Sequence, residues 1–286
     1  MAKCDVCFRH CEIKERGTGF CGARAVKDGV VFAQNYGKIT SMGLDPIEKK
    51  PLARFYPGSL ILSVGSYGCN LRCPFCQNSE ISWSDEVSEW RDNSREITPE
   101  ELVAIAVQTK GRGNIGIAYT YNEPLIGYEF VLDCAKLAHE AGLKNVIVTN
   151  GTAELSVLEK LTPYIDAMNI DLKGFSKDYC NTIIGGNLAM NLAFIKEAVK
   201  HCHVELTTLV VPGENDSESI FREQCEWISS LKNEKGDVIG KDIPLHISRF
   251  FPHFHMMDKQ PTNVGLIYHF AEVARADLKY VYTGNC

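Results

Sequence analysis

Seven of the twelve cysteines fall into two tight groups: Cys4, Cys7, Cys11 and Cys21, then Cys69, Cys73 and Cys76. The second group lies in Gly68-Cys69-Asn70-Leu71-Arg72-Cys73-Pro74-Phe75-Cys76-Gln77-Asn78, where C-x3-C-x2-C spacing converges three thiols in one short loop. Soft thiolates select zinc or an iron-sulfur cluster, and a closed site of either kind takes four protein ligands. Here the fourth is missing locally. A 4Fe-4S cluster on this loop keeps one iron open to an external chelate, which makes it a reaction centre as well as an electron carrier. The plainer alternative is zinc with a distant fourth ligand such as His246 or His253. The first group, C-x2-C-x3-C-x9-C, supplies four thiols for a closed site. Zinc there would staple a small segment, whereas a second 4Fe-4S cluster would relay electrons, and the spacing leaves both open. The other five cysteines are scattered: Cys134, Cys202 and Cys225 sit on apolar helical stripes and read as core thiols, while Cys180 and Cys286 have no partner nearby in sequence.

These residues need a scaffold, and from residue 59 onward β-branched runs alternate with stretches of helical period, the pattern of strand-helix units on a parallel sheet. Strands are predicted at 60–64, 115–119, 145–149, 167–171, 204–211, 245–248 and 280–282. Thr98 and Glu101 form a capping-box pattern with Pro99 at the first helical position, and 217–231 and 262–274 are amphipathic. About six repeats favour an open or partial β/α barrel over a flat doubly wound sheet. Residues 1–58 read as a cysteine-rich N-terminal appendage, with a strand pair inside 30–40 and a turn-rich Asp45-Pro46-Ile47-Glu48-Lys49-Lys50-Pro51; residues 59–286 form the core domain.

With 286 residues, 45% hydrophobic and 23% charged, the chain can build one large core and is neither disordered nor collagen-like. Its net charge of −6 gives no basic field for nucleic acid. No stretch reaches the roughly 20 apolar residues of a membrane span, and the N-terminus lacks the apolar run of a secretory signal. The expectation is therefore a cytoplasmic protein with neither a nucleic-acid nor a membrane partner, whose clustered cysteines serve metal or redox chemistry.

The three-cysteine loop, including Phe75 before its last cysteine, resembles the defining motif of the radical S-adenosylmethionine (SAM) superfamily. Within it the chain is similar to the activating enzymes of glycyl radical enzymes, exemplified by pyruvate formate-lyase activating enzyme. It is more similar still to the radical member of the AmmeMemoRadiSam group. That pattern runs through Asp45-Pro46-Ile47-Glu48-Lys49-Lys50-Pro51-Leu52, Cys76-Gln77-Asn78, Thr120-Tyr121-Asn122-Glu123-Pro124, Asp171-Leu172-Lys173 and Tyr282-Thr283-Gly284-Asn285. The resemblance implies a partial (β/α)6 barrel, a 4Fe-4S cluster on Cys69, Cys73 and Cys76, and SAM as cofactor. It further implies an external one-electron donor of flavodoxin or ferredoxin type. Glu123 stands where the activases carry a Gly-Gly-Glu motif for the methionyl amino group, with both glycines replaced by Tyr121 and Asn122. Asn150, Asp171 and Lys173 match residues at the ribose and carboxylate of the cofactor, and His246 matches a histidine near the adenosyl group. The activases' fifth-strand arginine is replaced by Thr207, two residues after Glu205, so the carboxylate contact falls to Lys173 or Arg249.

Arg249, Phe250, Pro252, His253 and His255 would lie at the substrate mouth or form a solvated loop. Tyr67, Tyr119 and Tyr121 read as packing. The function implied is reductive cleavage of SAM to methionine and a 5′-deoxyadenosyl radical that abstracts hydrogen, with no catalytic acid or base in the first step. The hydrogen comes from a glycine of a protein substrate or from a small molecule. A carrier protein with two closed iron-sulfur or zinc sites is the non-enzymatic alternative, and Glu123, Asp171 and Lys173 argue against it.

Overall fold

The structure, a computed structural model, describes all 286 residues. Seven parallel strands lie side by side in chain order: β1 (Leu60–Gly65), β2 (Asn114–Tyr119), β3 (Lys144–Thr149), β4 (Ala167–Asp171), β5 (His203–Val210), β6 (Leu245–Arg249) and β7 (Val281–Gly284). An antiparallel edge strand, Ser41–Pro46, pairs with the outer side of β1 in a register running from Ser41 opposite Gly65 to Pro46 opposite Leu60. It does not meet β7, so the sheet curls without closing and the architecture is the expected partial β/α barrel.

Six main helices cover the sheet: α1 (Pro99–Gln108), α2 (Tyr128–Glu140), α3 (Leu155–Leu161), α4 (Leu188–Ala198), α5 (Glu218–Ser229) and α6 (Val264–Arg275). The capping box forms as the sequence predicts: Glu101 N–H donates to Thr98 Oγ1 at 3.2 Å and Thr98 N–H to Glu101 Oε2 at 2.9 Å. Strand alternation divides the core in two. Ile117, Ile147, Met168, Leu206 and Ile247 face the helices, together with the buried thiols Cys134 and Cys225. Ile61, Ala118, Val146 and Ala167 face inward, where Ile47, Leu52 and Phe55 pack on them. Small inward side chains leave room for Leu52, which has no exposed surface. The segment around it is a plug: Glu205 on β5 accepts the Ala53 and Arg54 N–H groups at 2.9 and 2.7 Å, and Asn169 on β4 donates to the Pro51 carbonyl at 2.8 Å.

The first 58 residues thus supply an edge strand and a plug to the barrel. Cys4, Val6, Ile13 and Val26 also join the main apolar cluster. The strand pair expected within 30–40 is different. Val30–Ala33 pairs with Arg24–Lys27, and Lys38–Ile39 pairs with the remote Arg95–Glu96. The cause is Asp28-Gly29, both at positive φ (52° and 75°), a two-residue loop of the kind that matches hairpin twist. Cys180 is buried with its sulfur 3.5 Å from the Gly174 carbonyl, Cys202 is half-buried and Cys286 exposed.

Candidate active site

The carboxyl ends of the strands surround a cavity of about 1030 Å³. Cys69, Cys73 and Cys76 line one wall, and Glu123, Asn150, Asp171, Lys173 and His246 line it further round. Parallel strands bring these together because each contributes the residue at or just beyond its carboxyl end.

The cysteine loop leaves β1 through Gly68, whose φ of 93° and tight setting admit no side chain: a Cβ there would lie 2.6 Å from the Cys21 carbonyl oxygen. The Leu71 N–H points at Cys69 Sγ at 3.4 Å, and the Cys76 N–H closes a turn on the Cys73 carbonyl at 3.1 Å. Burial pushes the Cys73 thiol up to about 12, opposed by the nearby Lys173 ammonium. Metal binding here must expel protons, and Lys173 is the cation placed to favour that. In neither cysteine group do three side chains already stand at chelating distance, so a bound metal requires the thiols to turn inward.

Glu123 follows β2 and is 3% exposed. Its Oε1 accepts from the Thr149 hydroxyl at 2.6 Å and the Leu125 N–H at 3.0 Å, and its Oε2 accepts from the Asn150 N–H at 2.7 Å. Burial raises its pKa to about 7 despite those three donors. The Asn150 side-chain amide donates to Asn70 Oδ1 at 2.8 Å, tying the end of β3 to the cysteine loop. Asp171 and Lys173 form an ion pair at 2.8 Å. His246 Nε2 lies 2.6 Å from Glu205 Oε2 and its ring stacks on Tyr282, with centroids 5.2 Å apart.

These residues fit a cluster with a chelating cofactor. Three thiols open onto a space large enough for a nucleoside-sized molecule, beside a carboxylate, an amide, an acid–lysine pair and an imidazole. Of the tyrosines, Tyr67 and Tyr119 are packing residues, but Tyr121 lines the cavity. Its hydroxyl donates to Asp45 Oδ2 at 2.8 Å, and Lys50 Nζ reaches the same oxygen at 2.8 Å while lying 4.7 Å from the Tyr121 ring. In the sequence Asp45 and Lys50 belong to a turn and a family pattern, and for Lys50 that pattern favours a role before the barrel mouth. An acid and a lysine five residues apart, on either side of Pro46, were the available signal. Arg249 turns away, donating to the Thr262 carbonyl at 2.7 Å. Phe250 packs edge-on against Phe75, and the His255 N–H meets the Pro74 carbonyl at 2.9 Å, so this run covers the cysteine loop.

Comparison with known proteins agrees with this geometry. The sequence matches the radical SAM superfamily over residues 63–222. It is 40% identical over 287 residues to an uncharacterized protein of Methanocaldococcus jannaschii, covering 99% of this chain and 81% of that one. It is 28% identical over 171 residues to pyruvate formate-lyase-activating enzyme of Clostridium pasteurianum, covering 58% and 68%. In fold it is similar to a radical SAM methyltransferase from Sphaerobacter thermophilus, with a TM-score of 0.58 at 18% identity over 80% of this chain and 67% of that one. With the family match running from the three-cysteine loop through β5 on a partial β/α barrel, the chain belongs to the radical SAM superfamily.

Proposed function

We propose that the protein is a radical SAM enzyme that cleaves SAM reductively and passes the radical to a substrate hydrogen. The observation that carries this is the meeting of Cys69, Cys73 and Cys76 with Glu123, Asn150, Asp171, Lys173 and His246 around one cavity. Cys69, Cys73 and Cys76 would hold a 4Fe-4S cluster, leaving one iron for the amino and carboxylate groups of SAM. Glu123 would accept from the N–H groups of the amino nitrogen, Lys173 would hold the carboxylate, Asn150 and Asp171 the ribose hydroxyls, and His246 the adenosyl side. When bound, the pair supplies a 5′-deoxyadenosyl radical, at the cost of one electron from an external flavodoxin- or ferredoxin-type donor. The chain's own residues bind, orient and exclude water; no side chain moves a proton in this step.

A protein substrate giving up a glycine hydrogen is supported by the likeness to pyruvate formate-lyase-activating enzyme, and a small molecule is the other hydrogen source. No helix is long and apolar enough to cross a membrane, and every cysteine is unpaired. A reducing, cytoplasmic setting suits both. The test is anaerobic: reconstitute with iron and sulfide, reduce with dithionite, add SAM and assay 5′-deoxyadenosine. Product from the wild type and none from Cys73→Ala is expected. A reducible cluster whose spectrum ignores SAM would refute the reading in favour of a carrier.

A further inference from the structure

The four N-terminal cysteines converge, although they come from three separate turns. Cys4 follows the strand Ala2–Lys3, and its N–H donates to the Cys11 carbonyl at 2.9 Å, just before the partner strand Glu12–Ile13. Cys7 opens the turn closed by His10 N–H. Cys21 sits between Gly19 and Gly22, whose own hydrogen bond folds the chain back at 3.0 Å. All four line one small pocket, with Cys4, Cys7 and Cys21 buried and Cys11 half-buried. None is in a disulfide.

A second observation points to a ligand. Arg24 lines the same pocket and is 5% exposed. One end of its guanidinium is held by Glu129 at 2.7 Å, but its Nε–H is buried with no acceptor. A buried donor without a partner is uncommon and destabilising, and a metal-bound thiolate would supply the acceptor it lacks. Arg9, the other cation on the pocket, offsets thiolate charge beside Cys7 and Cys11.

Size separates the two candidate occupants. The pocket that the four cysteines line with Val6, Arg9, Arg24 and Ile126 has about 10 Å³ of free space, and its thiols turn inward to take any metal. A single ion therefore asks the smaller displacement of the pocket walls, whereas the eight atoms of a 4Fe-4S core would force them apart. We infer that Cys4, Cys7, Cys11 and Cys21 bind a single tetrahedral zinc ion as its tetrathiolate. The site abuts the reactive loop: the Cys69 N–H donates to the Cys21 carbonyl at 3.1 Å, and Arg9 Nε donates to the Asn70 carbonyl at 3.2 Å. The zinc thereby fixes the back of the loop that carries Cys69. The metal assignment is independent of the radical reading, while its effect on the loop deepens it.

The test uses the full chain, purified anaerobically. Elemental analysis is expected to give about one zinc per chain, retained when Cys69, Cys73 and Cys76 are all replaced by alanine and lost in Cys7→Ser/Cys21→Ser. Exchange of cobalt(II) for zinc in the wild type should give the intense visible bands of a tetrahedral tetrathiolate, a readout that does not depend on the variants folding. Removing zinc should speed amide exchange across residues 66–72. Zinc that follows the Cys69 group, or iron and sulfide that persist in the triple alanine variant, would overturn the assignment. Unchanged exchange at 66–72 would overturn the link to the loop. Neither result depends on SAM cleavage.

Discussion

Glu123 holds three hydrogen bonds in a site where burial makes its charge costly, and its pKa of about 7 follows from that balance. In the unfolded chain a glutamate titrates near 4.3. The folded state therefore binds the proton more tightly, and this group's contribution to stability is present in acid and is lost as pH rises through about 7. Urea titrations across that window should show the wild type losing on the order of 3–4 kcal/mol relative to Glu123→Gln; a constant difference would refute the assignment. If Glu123 accepts from the SAM amino group, binding near neutral pH should also release protons, visible as a buffer-dependent enthalpy. At the far wall, Asp45 is held at about 2: burial opposes its charge, but Lys50 and Tyr121 both donate to it. Lys50 is 3% exposed. Lys50→Met should cost about 3–5 kcal/mol by leaving a half-buried carboxylate without its cation. The double variant with Asp45→Asn should recover most of the loss. An additive double variant would show that the ion pair is not the cause.

At the scale of elements, the parallel strands were legible because each is a short apolar, β-branched run with a turn before it, and the predicted limits differ from those observed by at most two residues. The α1 start was legible from three residues, Thr98, Pro99 and Glu101. Thr98→Ala should lower stability by about 1 kcal/mol in thermal unfolding without moving the site. The hairpin at 24–33 follows the Asp28-Gly29 turn and not the β-branched run within 30–40. Lys38–Ile39 has no local signal, since its partner lies at 95–96. Contacts within the sheet carry a stricter demand at Gly116 on β2, where a Cβ would lie 1.8 Å from the Lys144 carbonyl oxygen on β3. Gly116→Ala must separate two paired strands. It should cost at least about 3 kcal/mol, and a near-neutral result would contradict the close approach.

For the molecule as a whole, the cavity is bounded below by the plug, and Glu205 is the residue that fastens it. Composition and spacing give no hint of this role: in the sequence Glu205 is simply an acid two residues before Thr207, the position of the family's arginine. Buried with no exposed surface, it accepts from His203, His246 and two backbone N–H groups, which outweigh the penalty of burial and hold its pKa at about 2. Its stabilisation is therefore present above about pH 4.3 and is lost as pH falls through 2. Glu205→Gln should destabilise by about 2–4 kcal/mol and expose residues 51–54 to proteolysis. Full protection of that segment would show that Leu52 packing alone retains the plug.

Strand order that repeats chain order also bears on how the protein is made. Each parallel strand from β2 onward pairs with the one synthesised before it, so every strand-helix unit leaving the ribosome finds its docking edge already in place. The plug is the exception. Its residues emerge about 150 positions ahead of Glu205, and until β5 arrives the Ala53 and Arg54 N–H groups lack the carboxylate that fastens them. A nascent chain halted before residue 205 should therefore hold an ordered half-barrel whose floor is still loose, and floor closure marks the point at which the cavity acquires its final shape.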